Sequence, residues 1–179
     1  MLALDLNGAV APDPLSPKRF DLILSNFGAL NCVDDIAVLA ARLQGWSKPG
    51  GVVALNFMGR FCAWEAAYYG LRANSAALRR LRGRARARVG GRDIHIRYWS
   101  IGEIRRALGP SFKLVAVHGI GMLLPPSYLF RLVDRFPRLF AKLARLERKA
   151  SRLWPFSRMA DHVLVILMHR TDASAGDQQ

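Results

Sequence analysis

The side chains able to carry chemistry are sparse and mostly isolated. Cys32 and Cys62 are the only cysteines, and His95, His118, His162 and His169 are scattered without ligand spacing, so no metal cage is expected. Two lone thiols fit a reduced compartment, and a cytoplasmic location is the simplest expectation. What is concentrated is positive charge. Arg79, Arg80, Arg82, Arg84, Arg86, Arg88, Arg92 and Arg97 fall within one segment whose single acid is Asp93. In a β-hairpin, Arg84, Arg86 and Arg88 would share one face, with Ala85, Ala87 and Val89 on the other. Such a stripe could grip a nucleic-acid backbone or an anionic membrane surface, or it could be the solvated face of a basic protein. Trp64, Tyr68 and Tyr69 could wall a pocket for an aromatic or lipophilic acceptor, although the same spacing also describes a core stripe.

The elements that must position these residues follow from apolar patterning. Phe20 to Asn26 is a short apolar run between turn residues, as expected of a strand buried on both faces. Val33, Ile36, Leu39 and Leu43 then recur at helical spacing, with Asn31 as N-cap and Asp34 and Asp35 near the positive end of the dipole. Ser47-Lys48-Pro49-Gly50-Gly51 reads as a turn into a second strand, Val52 to Phe57, completing a strand–helix–strand unit. A helical region is expected from Phe61 to Leu81, with a weak point near Gly70. The hairpin follows, Arg84 to Val89 and Ile94 to Trp99 around Gly90-Gly91. Ser100 and Glu103 form a capping box for a helix that Gly109 and Pro110 end. Phe112 to His118 and His162 to Met168 read as strands, and Pro126 to Leu153 as amphipathic helix divided at Pro137. Gly119-Ile120-Gly121 is read as a loop, because a glycine pair without a helix opening behind it is a weak phosphate signature. The alternation predicts α/β architecture with helices on both faces of a mainly parallel sheet. Ligands bind such sheets at the carboxyl ends of the strands, which makes Ser25 to Asn31 and Asn56 to Arg60 the leading site candidates and puts Met58 and Arg60 on the substrate side by location.

The 179 residues suit one domain, and 51% hydrophobic with 22% charged residues excludes wholesale disorder or a disulfide-dense scaffold. A net charge of +14 favours phosphates, anionic lipids or acidic partners. Leu114 to Phe130, the longest stretch free of acidic and basic charge, is broken by glycines and prolines, so no transmembrane segment is expected. The expected divisions are an irregular segment 1–17, a domain 18–170 and a disordered tail 171–179.

The series Phe20-Asp21-Leu22-Ile23-Leu24-Ser25-Asn26-Phe27-Gly28-Ala29-Leu30-Asn31, followed one helix later by Trp46-Ser47-Lys48-Pro49-Gly50-Gly51-Val52, resembles the second half of a class I S-adenosylmethionine-dependent methyltransferase. In that family the fourth strand has the form FD-x-[IVL]-x-S-N, and a helix leads to L-K-P-G-G before the fifth. Tyr98-Trp99-Ser100, the strand from Phe112 and the strand begun by Asp161-His162 agree, so the resemblance covers roughly residues 18 to 170. It implies a partial Rossmann-like methyltransferase sheet, its strands equivalent to the last four of seven, with helices on both faces and an inserted β-hairpin. It also implies S-adenosylmethionine as cofactor and methyl transfer to a small-molecule acceptor. Ser25, Asn26, Phe27 and Gly28 would line the cofactor, and Leu30 and Asn31 would face the substrate. No catalytic residue is singled out, because positioning provides much of the rate of methyl transfer.

One departure accompanies the match. The family's first strand runs into a glycine-rich cofactor loop, whereas only Leu2-Ala3-Leu4-Asp5-Leu6-Asn7-Gly8 and a proline-rich stretch precede Phe20. The resemblance therefore implies a truncated domain, a fragment or a start read too late. Its Leu22 to Ser25 edge would be apolar and unpaired unless Leu2 to Leu6 supplied a replacement strand.

Overall fold

The computed structural model describes residues 6–7, 20–126 and 129–171. The expected tail, apart from Thr171, lies outside them. So do the irregular N-terminal segment and the replacement strand, apart from Leu6 and Asn7.

Four strands form the main sheet: β1 (Phe20–Ser25), β2 (Ser47–Met58), β5 (Phe112–Ile120) and β6 (His162–His169), in the order β1-β2-β6-β5. β1 and β2 are parallel, as the apolar strand–helix–strand reading requires, while β6 runs antiparallel to both of its neighbours. The sheet is thus mixed: three strands share one direction and the last in sequence is reversed. Two strands, β3 (Arg84–Val89) and β4 (Arg92–Arg97), make a separate ribbon. Its two-residue turn, Gly90-Gly91, has φ of 56° and 80°, a conformation glycine adopts without steric cost.

The main core lies on one face of the sheet. Alternate residues Val53, Leu55 and Phe57 of β2 and Val163, Val165 and Leu167 of β6 meet α1 (Ile36–Trp46) and α3 (Ile101–Leu108) there. Val33, Ile36, Leu39 and Leu43 are buried as their spacing predicts. On the other face, Leu164 and His118 lie beside α5 (Pro137–Ala150), which follows the shorter α4 (Phe130–Arg135) across the break at Pro137. Beyond α5, among the described residues, that face is apolar and open, so β1 is not buried on both faces as its apolar run suggests. Leu22, Leu24, Val52 and Met168 share it in register and are exposed, and among the described residues nothing pairs with the outer edge of β1.

Two local expectations are corrected. Asp35, not Asn31, caps α1: its carboxylate accepts from the Ala37 amide at 2.8 Å, because Val33 is extended and delays the helix to Ile36. Lys48-Pro49-Gly50-Gly51 is not a turn ahead of a strand but a bulge inside β2. Register jumps from Phe20↔Ser47 to Leu22↔Val52, helped by Gly50 at φ 77°, and a Cβ on Gly51 would come within 3.1 Å of the Phe20 carbonyl oxygen. The capping box of α3 forms as expected, with Ser100 Oγ accepting from the Glu103 amide and Glu103 Oε2 accepting from the Ser100 amide.

The helical region after β2 divides near Gly70 into α2 (Ala63–Gly70) and a kinked 3₁₀ segment, Ser75–Arg82. They are joined by buried ions. Glu65, only 2% exposed, accepts from Arg79 Nε at 2.6 Å and Arg80 Nε at 2.8 Å. Arg80 also reaches Asp161 Oδ1 at 2.7 Å and donates to the Asp161 and Gly59 carbonyls, tying this segment to the end of β2 and the start of β6. Burial pushes the Asp161 carboxyl up, but the hydrogen bond from His162 and the charge of Arg80 outweigh it and hold the group below the usual carboxylate range.

Arg80→Met leaves Glu65 and Asp161 without their shared cation and is expected to lower unfolding free energy by about 3–5 kcal/mol; an unchanged urea midpoint would contradict the network. Because the Asp161 pKa is lower folded than unfolded, its contribution is complete above the ordinary carboxylate pKa of about 4 and is lost as pH falls through the folded value. Urea midpoints should fall in that acid window, and less so in Asp161→Asn. Cys32 is exposed while Cys62 is buried, with burial pushing its thiol pKa up. A thiol reagent at neutral pH should label Cys32 alone until the chain is unfolded.

Candidate functional site at the carboxyl ends of β1 and β2

β1 ends at Ser25, and the chain then turns sharply. Phe27 and Gly28 follow with φ of 57° and 68°, leading into a 3₁₀ turn at Ala29–Cys32. Gly28 suits this geometry, but Phe27 does not, and a non-glycine residue in the left-handed region costs on the order of 1 kcal/mol. Phe27 gains no burial in exchange, since it is 87% exposed. Asn26 is exposed as well, its Oδ1 accepting from the Phe27 amide at 2.8 Å, and Ser25 is half-buried. An aromatic ring is thus held in solvent by a strained backbone at the carboxyl end of a parallel strand, with no packing to account for it.

The loop is fixed from beneath by Asn31, which is entirely buried. Its Oδ1 accepts from the Met58 amide at 2.7 Å, and its Nδ2 donates to the Arg97 carbonyl at 2.7 Å and more loosely to the Met58 carbonyl at 3.4 Å. One carboxamide therefore joins the loop after β1, the end of β2 and the end of β4. Gly28 presses on the same point: a Cβ there would sit 2.9 Å from Met58 Cγ.

The structure thus brings Gly28, Asn31 and Met58 together, with Asn26 and Phe27 exposed beside them. Leu30 and Asn31, expected on the substrate side, are both buried, Leu30 in the core and Asn31 on backbone partners. Arg60 is exposed and turns to Glu103 at the start of α3, at 3.4 Å. It lines a small cleft of about 150 Å³ with Trp99, Ser100 and Arg158.

The arginine segment divides in two. Arg79 and Arg80 belong to the ion network with Glu65, whereas Arg84, Arg86 and Arg88 point outward, with Ala85 and Ala87 partly buried behind them. The sequence signal for the network is Glu65, an acid in an otherwise apolar helical stretch, with two adjacent arginines one turn-and-loop later. The loop after Gly119-Ile120-Gly121 is occupied internally: the Glu147 carboxylate accepts from the amides of Gly121, Leu123 and Leu124 at 2.6–2.9 Å. Among the described residues no group of three or more His, Cys, Asp or Glu could hold a metal ion, and no helix is long and apolar enough to cross a membrane.

Asn31→Ala strands the Met58 amide and the Arg97 carbonyl and should cost about 2–4 kcal/mol in urea unfolding. Asn31→Asp keeps one acceptor but loses both donations, so a comparable loss is expected. Wild-type stability in the Asp variant would show that the Arg97 bond is not formed.

No protein-family model matches the chain, and no curated protein matches it. Solved structures do. A Listeria monocytogenes structure assigned to the S-adenosylmethionine dependent methyltransferases aligns over 89% of this chain and 66% of its own, with TM-score 0.53 and 10% identity. A S-adenosylmethionine-dependent methyltransferase from Clostridium acetobutylicum aligns over 95% and 64%, with TM-score 0.50 and 10% identity. One from Mesorhizobium loti aligns over 93% and 67%, with TM-score 0.49 and 17% identity. The chain spans about two thirds of the length of these structures. At such identities the likeness is one of fold, and the fold is that of the class I S-adenosylmethionine-dependent methyltransferases.

Proposed function

We propose that this protein acts in methyl transfer from S-adenosylmethionine to a small-molecule acceptor, with the loop Ser25–Gly28 as the protein's contact to the cofactor. The observation that carries the reading is the exposed, left-handed Phe27 at the carboxyl end of β1, held there by Gly28 and Asn31. Asn26 offers an exposed carboxamide and Phe27 a free aromatic face, which fits one side of a nucleoside bearing polar groups. S-adenosylmethionine, when bound, supplies an electrophilic methyl group on its sulfonium.

The part left to this chain is orientation. Leu30 and Asn31 fix the loop from inside, Met58 stands beside Gly28, and Arg60 marks the acceptor side at the exit of β2. In-line placement of acceptor and methyl accounts for much of the rate of such reactions without a dedicated strong base, so the lack of a nucleophile–base pair in this loop does not weigh against the reading.

Phe27→Gly separates ligand contact from folding. It removes the ring and relieves the positive φ, so the urea midpoint should hold or rise, while calorimetric affinity for S-adenosylhomocysteine should fall about tenfold, near 1.4 kcal/mol. Equal affinity in wild type and variant would contradict the assignment of Phe27, and a silent wild-type titration would contradict the reading itself.

A further inference from the structure

We propose that the cleft between the β3–β4 ribbon and the loop carrying Asp34 binds the phosphate group of a small molecule. The cleft measures about 520 Å³ and is lined by Arg84, Arg86, His95 and Arg97, with Asp34 as its one acidic residue. That volume lies within the range of small-ligand pockets.

The charge pattern of the ribbon is the argument. Directly opposed residues on one face of an antiparallel pair interact most strongly, and like charges there oppose pairing. Here Arg84 stands opposite Arg97 and Arg86 opposite His95, in successive rungs of the same face. The next rung toward the turn, Arg88 opposite Asp93, is charge-complementary. The unbalanced rungs are therefore the ones that line the cleft, and the balanced one lies beyond it. A two-stranded ribbon has little stability of its own to set against such repulsion, so a face built this way is completed by an anion.

Arg97 is already oriented. Its Nη1 donates to the Asp34 carbonyl at 3.0 Å, and its guanidinium stacks 3.9 Å from the centroid of the Trp99 ring. The side chains of Arg84, Arg86 and His95 make no hydrogen bond or ion pair among the described residues. Several cationic or donor groups around one concavity match a multiply charged phosphate better than a single carboxylate. The cleft also adjoins the β1 loop, since the Arg97 backbone carbonyl is the one that Asn31 holds. As an anion site the cleft stands on its own geometry; as the anchor of a phosphorylated methyl acceptor it rests on the function proposed above.

The test is calorimetric titration of the full chain with inorganic pyrophosphate at fixed ionic strength. Saturable binding is expected, weakened about tenfold or more in Arg84→Ser and Arg86→Ser. Arg92→Ser, on the opposite face of the ribbon, should bind as wild type does. Because Arg84→Ser removes the like-charge rung with Arg97, its ligand-free thermal midpoint should match or exceed wild type, and pyrophosphate should raise the wild-type midpoint more than that of either cleft variant. Wild-type affinity in both cleft variants, or no saturable binding, overturns the proposal. So does tight, steeply salt-dependent binding of oligodeoxythymidine, or of phosphatidylcholine–phosphatidylglycerol vesicles, that pyrophosphate does not displace and Arg92→Ser weakens equally. The titration needs no S-adenosylhomocysteine, so this site and the proposed cofactor contact fail separately.

Discussion

A single buried carboxamide sets the geometry of the carboxyl edge of the sheet. Asn31 reaches 27 residues along the chain to Met58 and 66 to Arg97, and it satisfies backbone groups at the ends of β2 and β4 that no sheet ladder covers. A buried amide with imperfect partners costs more than its bonds contribute, so the arrangement is stable in one configuration and poor in any other. That selectivity is what allows Phe27 to stand in solvent at a positive φ. The loop cannot relax inward without breaking the Met58 and Arg97 contacts, and Gly28 leaves no volume beside Met58 for it to do so. The same carboxamide places the β3–β4 ribbon against the loop, so the strained turn and the cationic cleft share one rigid support.

Charge is used in two physically distinct ways within one short stretch of chain. Arg80 is buried, is hydrogen-bonded on several sides and serves folding. Arg84 and Arg86, a few residues on, face solvent across from Arg97 and His95, and their side chains make no hydrogen bond or ion pair within the described residues. Opposite-sign pairing in a low dielectric and unpaired charge in water differ so much in energy that they cannot be the same device. The apolar surface is likewise divided. One sheet face is sealed by α1 and α3, and among the described residues the other is covered by α5 only near β5, with the β1 side open.

The parts of this architecture written in local sequence were legible there. The apolar runs of β1 and β6, the spacing of Ile36, Leu39 and Leu43, the Ser100–Glu103 box and the Gly90-Gly91 turn all act through near neighbours, and each formed where its residues stand. What was not legible acts across distance. Nothing near Asn31 announces that its amide belongs to Met58 and Arg97 rather than to a helix cap. The bulge at Lys48–Gly51 shows itself only in its pairing with Phe20, whose carbonyl lies against Gly51. The separation of Arg80 from Arg84 depends on where Glu65 and Asp161 lie in the folded chain. The Ser25–Gly28 segment was visible as a candidate only through its place after a strand, and its strain became visible only in the backbone angles.

The most direct measurement is the perturbation of backbone amide resonances as S-adenosylhomocysteine is titrated into the protein. The account predicts saturable shifts concentrated in residues 25–31 and 58–60, with the amides of the β3–β4 turn unmoved. Shifts centred on the ribbon, or no saturable shift around Phe27, would contradict it.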